Sequence, residues 1–208
     1  VTLVQETAYP LDGAVTLRVQ PSRPAPFALK LRIPHWSAET QVTLNGAPVP
    51  GVRSGRYLTI DREWRAGDTL SLVFDMGLRV WPGERTCEGM ASIYRGPLLL
   101  AYDHRYNLDL AGEEPVIRDV EHWDPVTCML DVPPLDTETL SARPARWDDW
   151  LPPLLLLACE AEDGRTVHLC DFASAGAVGT PYRSWLPVHH LPETPAFTRA
   201  NPLRAYRL

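Results

Sequence analysis

Val15-Thr16-Leu17-Arg18-Val19 decides how this chain is read, and Leu29-Lys30-Leu31-Arg32-Ile33 repeats its pattern. In both, apolar side chains alternate with polar ones, and Leu70, Leu72 and Phe74 keep the same spacing. Period-two patterning marks a strand with one face on a core and the other in water. Between these segments lies Val42-Thr43-Leu44, followed by Asn45-Gly46, a dipeptide suited to the two positive φ angles of a tight hairpin turn. Tyr57 to Ile60 reads as another strand, and Ala66-Gly67-Asp68 turns the chain into Thr69 to Phe74. Short strands at regular spacing, punctuated by Gly, Pro and Asn, predict an antiparallel sandwich over residues 1–84.

Beyond Trp81-Pro82-Gly83 the texture changes. Ala91 to Tyr94 and Leu98 to Tyr102 are apolar runs joined by the tight-turn sequence Arg95-Gly96-Pro97. Val126 to Val132, Leu154 to Glu160 and Thr166 to Phe172 are further strand candidates, and Glu162-Asp163-Gly164-Arg165 links the last two as a hairpin. Residues 103–125 and 173–205 read as irregular, and Leu135 to Leu140 as a turn at most. No amphipathic helix is expected. The fold class is therefore all-β: two antiparallel β-sandwich domains in tandem, 1–84 and 85–208, the second rich in long loops.

Composition agrees. Among 208 residues 45% are hydrophobic and 22% charged, enough to bury cores in one large or two small domains. The 21 prolines, about twice the usual ~5% share, oppose long helices. A formal charge of −6 gives no electrostatic reason to bind nucleic acid or an anionic membrane. The longest apolar stretch, Leu154 to Cys159, is far short of a membrane span, and Val1 to Thr7 does not read as a signal peptide. The chain opens on Val1 with a strand pattern already running, so a piece of a longer protein is expected.

Several phrases taken together resemble one family. Ala28-Leu29-Lys30-Leu31-Arg32-Ile33-Pro34-His35-Trp36 is similar to a strand that follows the catalytic barrel in family 127 glycoside hydrolases, the β-L-arabinofuranosidase type. Val42 to Gly46 resembles the family's Asn-Gly hairpin, Tyr57 to Asp68 its Arg-x-Trp and Gly-Asp stretch, and Tyr94 to Leu98 its Arg-Gly-Pro turn. Leu169 to Gly176 followed by Tyr182 to Pro187 looks like its C-terminal signature. The resemblance implies an α/α barrel preceding two β-sandwich domains, with a cysteine nucleophile and a zinc site confined to the barrel. No catalytic residue carries over to this chain, and zinc would belong to the absent domain. The implied partner is that barrel, with a homodimer through the β domains and carbohydrate as further candidates.

Independent chemistry is thin. Cys87, Cys128, Cys159 and Cys170 have no zinc-finger spacing. Buried free thiols in a reducing cytosol are the first expectation, which makes the location cytoplasmic, and a disulfide between Cys159 and Cys170 across their hairpin is the alternative. Asp148-Asp149 offers two carboxylates, but neighbours on an extended strand diverge, whereas glycoside cleavage needs them to converge. Trp147 and Trp150, flanking that pair, are the candidate carbohydrate contacts, since indole faces stack on sugars. His189-His190 lacks a third metal ligand, and Ser92, Ser174 and Ser184 lack a nucleophile-elbow context. Trp64, near a turn, is expected to plug the sandwich edge. Three readings follow: a non-catalytic region bracing a barrel, an autonomous carbohydrate-binding module, and an unrecognised hydrolase, in that order.

Overall fold

The alternating segments fold as strands, and their inward positions make the core. The computed structural model describes residues 1–111 and 130–191, and the chain divides into two compact units, Val1–Gly77 and Leu78–Leu208.

The first unit contains β1 (Thr2–Thr7), β2 (Ala14–Gln20), β3 (Ala25–Arg32), β4 (Gln41–Leu44), β5 (Ala47–Pro48), β6 (Tyr57–Trp64) and β7 (Asp68–Val73). Five strands form one layer in the order β1-β2-β7-β4-β5, while β3 and β6 form a two-stranded ribbon. Every pairing is antiparallel. Val15, Val19, Leu70 and Leu72 from the larger layer share a core with Leu31, Ile33, Leu58 and Trp64. Trp64 is the expected plug: it is fully buried, its indole N–H donates to the Phe27 carbonyl at 2.8 Å, and it stacks on Phe27. The Asn-Gly turn forms as expected, with Asn45 at φ 51° and Gly46 at φ 83°.

The second unit begins at β8 (Leu78–Pro82) and continues through β9 (Met90–Arg95), β10 (Leu98–Asp103), β11 (Leu135–Asp136), β12 (Ala142–Pro144), β13 (Leu156–Glu160), β14 (Thr166–Asp171), β15 (Tyr182–Arg183) and β16 (Leu186–His189). The division falls seven residues before the expected 84, because β8 pairs along its length with β9 and so belongs to the second unit. The nine strands are linked by hydrogen bonds in the order β11-β16-β9-β10-β14-β13-β12, with β8 on β9 and β15 on β10. All pairs are antiparallel except β11 with β16. β10 meets β9 at Leu98 and Leu99, then continues along β14 through Leu100–Tyr102. One core gathers Ile93, Leu100, Leu157, Val167, Leu169 and Leu186. The single α-helical turn among the described residues is α1 (Leu108–Ala111).

Three expectations need correction. Of the strand expected at Val126 to Val132, residues 126–129 lie outside the described residues and 130–132 are not strand. Leu130 and Val132 are buried, but the Leu130 carbonyl accepts from the Arg183 guanidinium at 2.8 Å, so a side chain replaces a neighbouring strand. Leu135 to Leu140, expected as a turn, starts with strand β11, and the stretch expected to be irregular after residue 173 contains β15 and β16.

Candidate functional site

The sequence-flagged loop stands on the β13–β14 side of the second unit. Trp147 is half-buried and meets Tyr106 edge-on, ring centroids 5.2 Å apart. Trp150 is 80% exposed. The two indoles thus differ in exposure: Trp147 is partly covered by Tyr106 and lines a groove, whereas Trp150 stands largely in solvent. Asp149 fixes the backbone at that position. One of its oxygens accepts from Arg105 Nη2 at 2.7 Å and the other from the Trp150 backbone N–H at 2.6 Å. Arg105 is itself buried, with its guanidinium over the Tyr106 ring. The other end of the loop is pinned where Leu154 N–H donates to Ser174 Oγ and Leu155 N–H to Asp171 Oδ1. A groove of about 300 Å³ lies between residues 144–148 and 152–156.

The electrostatics oppose acid–base chemistry here. The Arg105 hydrogen bond, aided by the Trp150 amide, holds Asp149 below the usual carboxylate range. A glycosidase acid needs the reverse shift, a carboxyl kept protonated near neutrality. Asp148 is exposed beside it, and among the described residues it forms no hydrogen bond or ion pair that would turn it toward Asp149.

The remaining candidates also separate. Cys159 pairs with Val167 across the hairpin and Cys170 with Leu156, so the two cysteines are not opposite one another. Leu156 and Cys159 are three positions apart, an odd number, which sends the two thiols to opposite faces. Cys159 enters the main core and Cys170 packs with Tyr106 and Leu156. The alternative of a disulfide between them is overturned: both are free, and burial pushes their thiols up to about 11 and about 12. Cys128 lies outside the described residues. His189 faces Glu162 at 3.2 Å while His190 faces Asp136 at 2.9 Å, so the histidines diverge. Ser92 Oγ donates to the Ser184 carbonyl, and Ser174 Oγ donates to Asp171. Among the described residues no three His, Cys, Asp or Glu side chains converge on a common point. Cys159 and Cys170, on opposite faces of the hairpin, do not converge on one zinc centre.

A polar knot that sequence reading missed lies below the loop. Buried Asp103 accepts from Arg105 N–H, Thr180 Oγ1 and Gly176 N–H at 2.7–2.9 Å. Asn107 bridges the Asp103 carbonyl and His168, whose N–H it accepts at 2.7 Å. These partners are up to 77 residues apart in sequence, and no local pattern announces them.

The first unit carries a second concavity of about 620 Å³, bounded by Leu3, Leu17, Leu29, Leu31, Tyr9 and Trp36 among others. Its aromatic rings are engaged edge-on, Tyr9 and Trp36 each against Phe74 at about 60°.

Residues 1–76 match the family model described as beta-L-arabinofuranosidase, GH127 middle domain. None of the curated proteins matches the sequence. Among solved structures, a glycoside hydrolase aligns over 89% of this chain with TM-score 0.69 and 22% identity. A GH127 beta-L-arabinofuranosidase from Geobacillus stearothermophilus T6 aligns over 90% with TM-score 0.67 and 22% identity, and a GH127 beta-arabinofuranosidase over 90% with TM-score 0.65 and 21% identity. At that identity the likeness is one of fold. The chain spans 32%, 30% and 31% of these three structures, about a third of each.

Proposed function

We propose that these 208 residues, of which 1–76 match the GH127 middle-domain model, are the non-catalytic β portion of a β-L-arabinofuranosidase-like glycoside hydrolase. Their task is to brace an α/α-barrel catalytic domain outside this sequence. The observation that carries this reading is an apolar surface on the second unit. Trp150, Leu151, Leu154, Phe172 and Tyr182 are all 36–80% exposed; the loops carrying the first four are tied together through Leu154 and Ser174, and Tyr182 of β15 meets Phe172 edge-on. Monomers rarely leave so many large apolar side chains in water, and a covering domain is the usual reason. The solved relatives are about three times as long, which supports the presence of such a domain. Zinc and the nucleophile belong to the barrel in this reading.

The test mixes this chain with the separately produced barrel. Complex formation is expected, weakened about tenfold by Trp150→Ala with Leu154→Ser, as for a central aromatic anchor. The chain alone is expected to leave aryl β-L-arabinofuranosides intact; turnover by it would end the proposal.

The exposed Trp150 face also favours a second reading, a carbohydrate-binding module. Saturable quenching of tryptophan emission by arabino-oligosaccharides, abolished in Trp150→Ala, would put that reading first.

A further inference from the structure

The two layers of the first unit are unequal, five strands against the two of β3 and β6. β3 pairs with β6 along all eight of its residues and with no other strand among the described residues. Beyond its end, Ile33 N–H donates to the Arg56 carbonyl and Gly55 N–H to the Ile33 carbonyl. Antiparallel hydrogen bonding repeats every second residue, so Leu31, Leu29 and Phe27 also turn their backbone groups to β6. Those of Ala28, Lys30 and Arg32 then face the open edge, where all three residues are exposed.

The 620 Å³ cleft lies beside that edge and is lined by Leu29–Arg32 of β3 together with Leu3, Gln5 and Leu17. Leu3 stands on the inner face of β1 opposite Val19, yet it is 50% exposed where Val19 is fully buried. An inward leucine left half wet, next to a row of backbone groups with no neighbouring strand among the described residues, has the form of a layer one strand short. A saccharide fits poorly. The lining is mainly aliphatic, and the aromatic rings at its end are already packed edge-on.

We infer that this cleft is the seat of an extended polypeptide strand that adds to the open edge of β3. The strand's apolar side chains, at alternate positions, cover Leu3 and Leu17, and its intervening positions are acidic, opposite Lys30 and Arg32. Main-chain bonds to an open edge supply affinity, and the alternate side chains supply selectivity. Lys30, the one lysine of the chain, repels apolar or basic strands from that edge. Carboxylates at the facing positions convert it into a cross-strand ion pair. The strand comes from the parent protein outside residues 1–208, a part of the inference that rests on the function proposed above.

Hydrogen exchange tests both parts. The probe is a seven-residue peptide alternating glutamate with leucine and valine, set against its lysine-for-glutamate counterpart. At ~1 mM the acidic peptide is expected to slow exchange of the Lys30 and Arg32 amides about tenfold, and the basic one to leave them unchanged. Lys30→Pro removes an edge donor without removing a β3–β6 bond, and should abolish the protection. Leu3→Asp, at a half-exposed site, should do the same from the opposite wall. No slowing, equal slowing by both peptides, or slowing that survives both variants overturns the slot. In the full-length parent the same amides should be protected with no peptide added, and fast exchange there overturns the assigned source. Neither readout involves the barrel contact, so failure of the bracing role would show separately.

Discussion

Asn45 illustrates how much one residue does in this fold. It takes the positive φ of the hairpin turn, its side-chain carbonyl accepts from Thr69 N–H, and its amide donates to Asp68 Oδ1, both at 2.8 Å. Asn45→Ala should cost about 1–3 kcal/mol in denaturant unfolding of the first unit, because it strains the turn and strands a carboxylate partner. Asp68 receives the Arg65 backbone N–H as well, and that bond followed by the Asn45 amide holds its carboxyl below the ordinary 3.8. A depressed folded value means stabilisation that is full above 3.8 and is lost as pH falls through the folded value. Acid titration of stability should show this loss in the native chain and not in Asp68→Asn. His190 has the opposite sign. The Asp136 carboxylate raises it above 6.5, so this exposed pair contributes below 6.5 and fades as pH rises through the folded value. Proton NMR titration of the ring should find it above an unperturbed histidine, and Asp136→Asn should return it. Cys159 and Cys170, with thiols pushed up to about 11 and about 12, should resist alkylation at pH 8 until the second unit unfolds, while half-buried Cys87 reacts first.

Elements differ in how plainly the sequence announces them. β2, β3 and β7 each have one wet face, so alternation such as Val15, Leu17, Val19 maps directly onto inward positions. β11, β12 and β15 are two or three residues long, too short for any period to show. β8 hides for another reason: every one of its residues is half-buried, so no alternation marks its faces. The candidate site was half legible. The Trp147–Trp150 loop stood out by composition, but its rigidity comes from Arg105, 44 residues away, and from Asp171 and Ser174. Asp103 carries the same lesson into a prediction. Asp103→Ala leaves the Arg105 N–H, the Gly176 N–H and the Thr180 hydroxyl without their acceptor, and should destabilise the second unit by about 2–5 kcal/mol. Protease cleavage within residues 174–181 is expected to accelerate first, since Asp103 is what holds that loop down.

At the scale of the molecule, each unit has its own core, and no residue belongs to both. Leu70→Ala, at a fully buried position of the first unit, should cost about 2–5 kcal/mol there, read from Trp64 emission. The unfolding-dependent alkylation of Cys159 should keep its midpoint, because it reports the other core. Within the second unit no such partition is open. β10 spends its first residues on β9 and its next on β14, so a single strand is the seam of the whole sheet. Its two arms are therefore not interchangeable modules: a graft, circular permutation or insertion that divides the chain between residues 98 and 103 cuts the strand both arms pair with, and shuffling of this region must carry the second unit, Leu78–Leu208, as one piece.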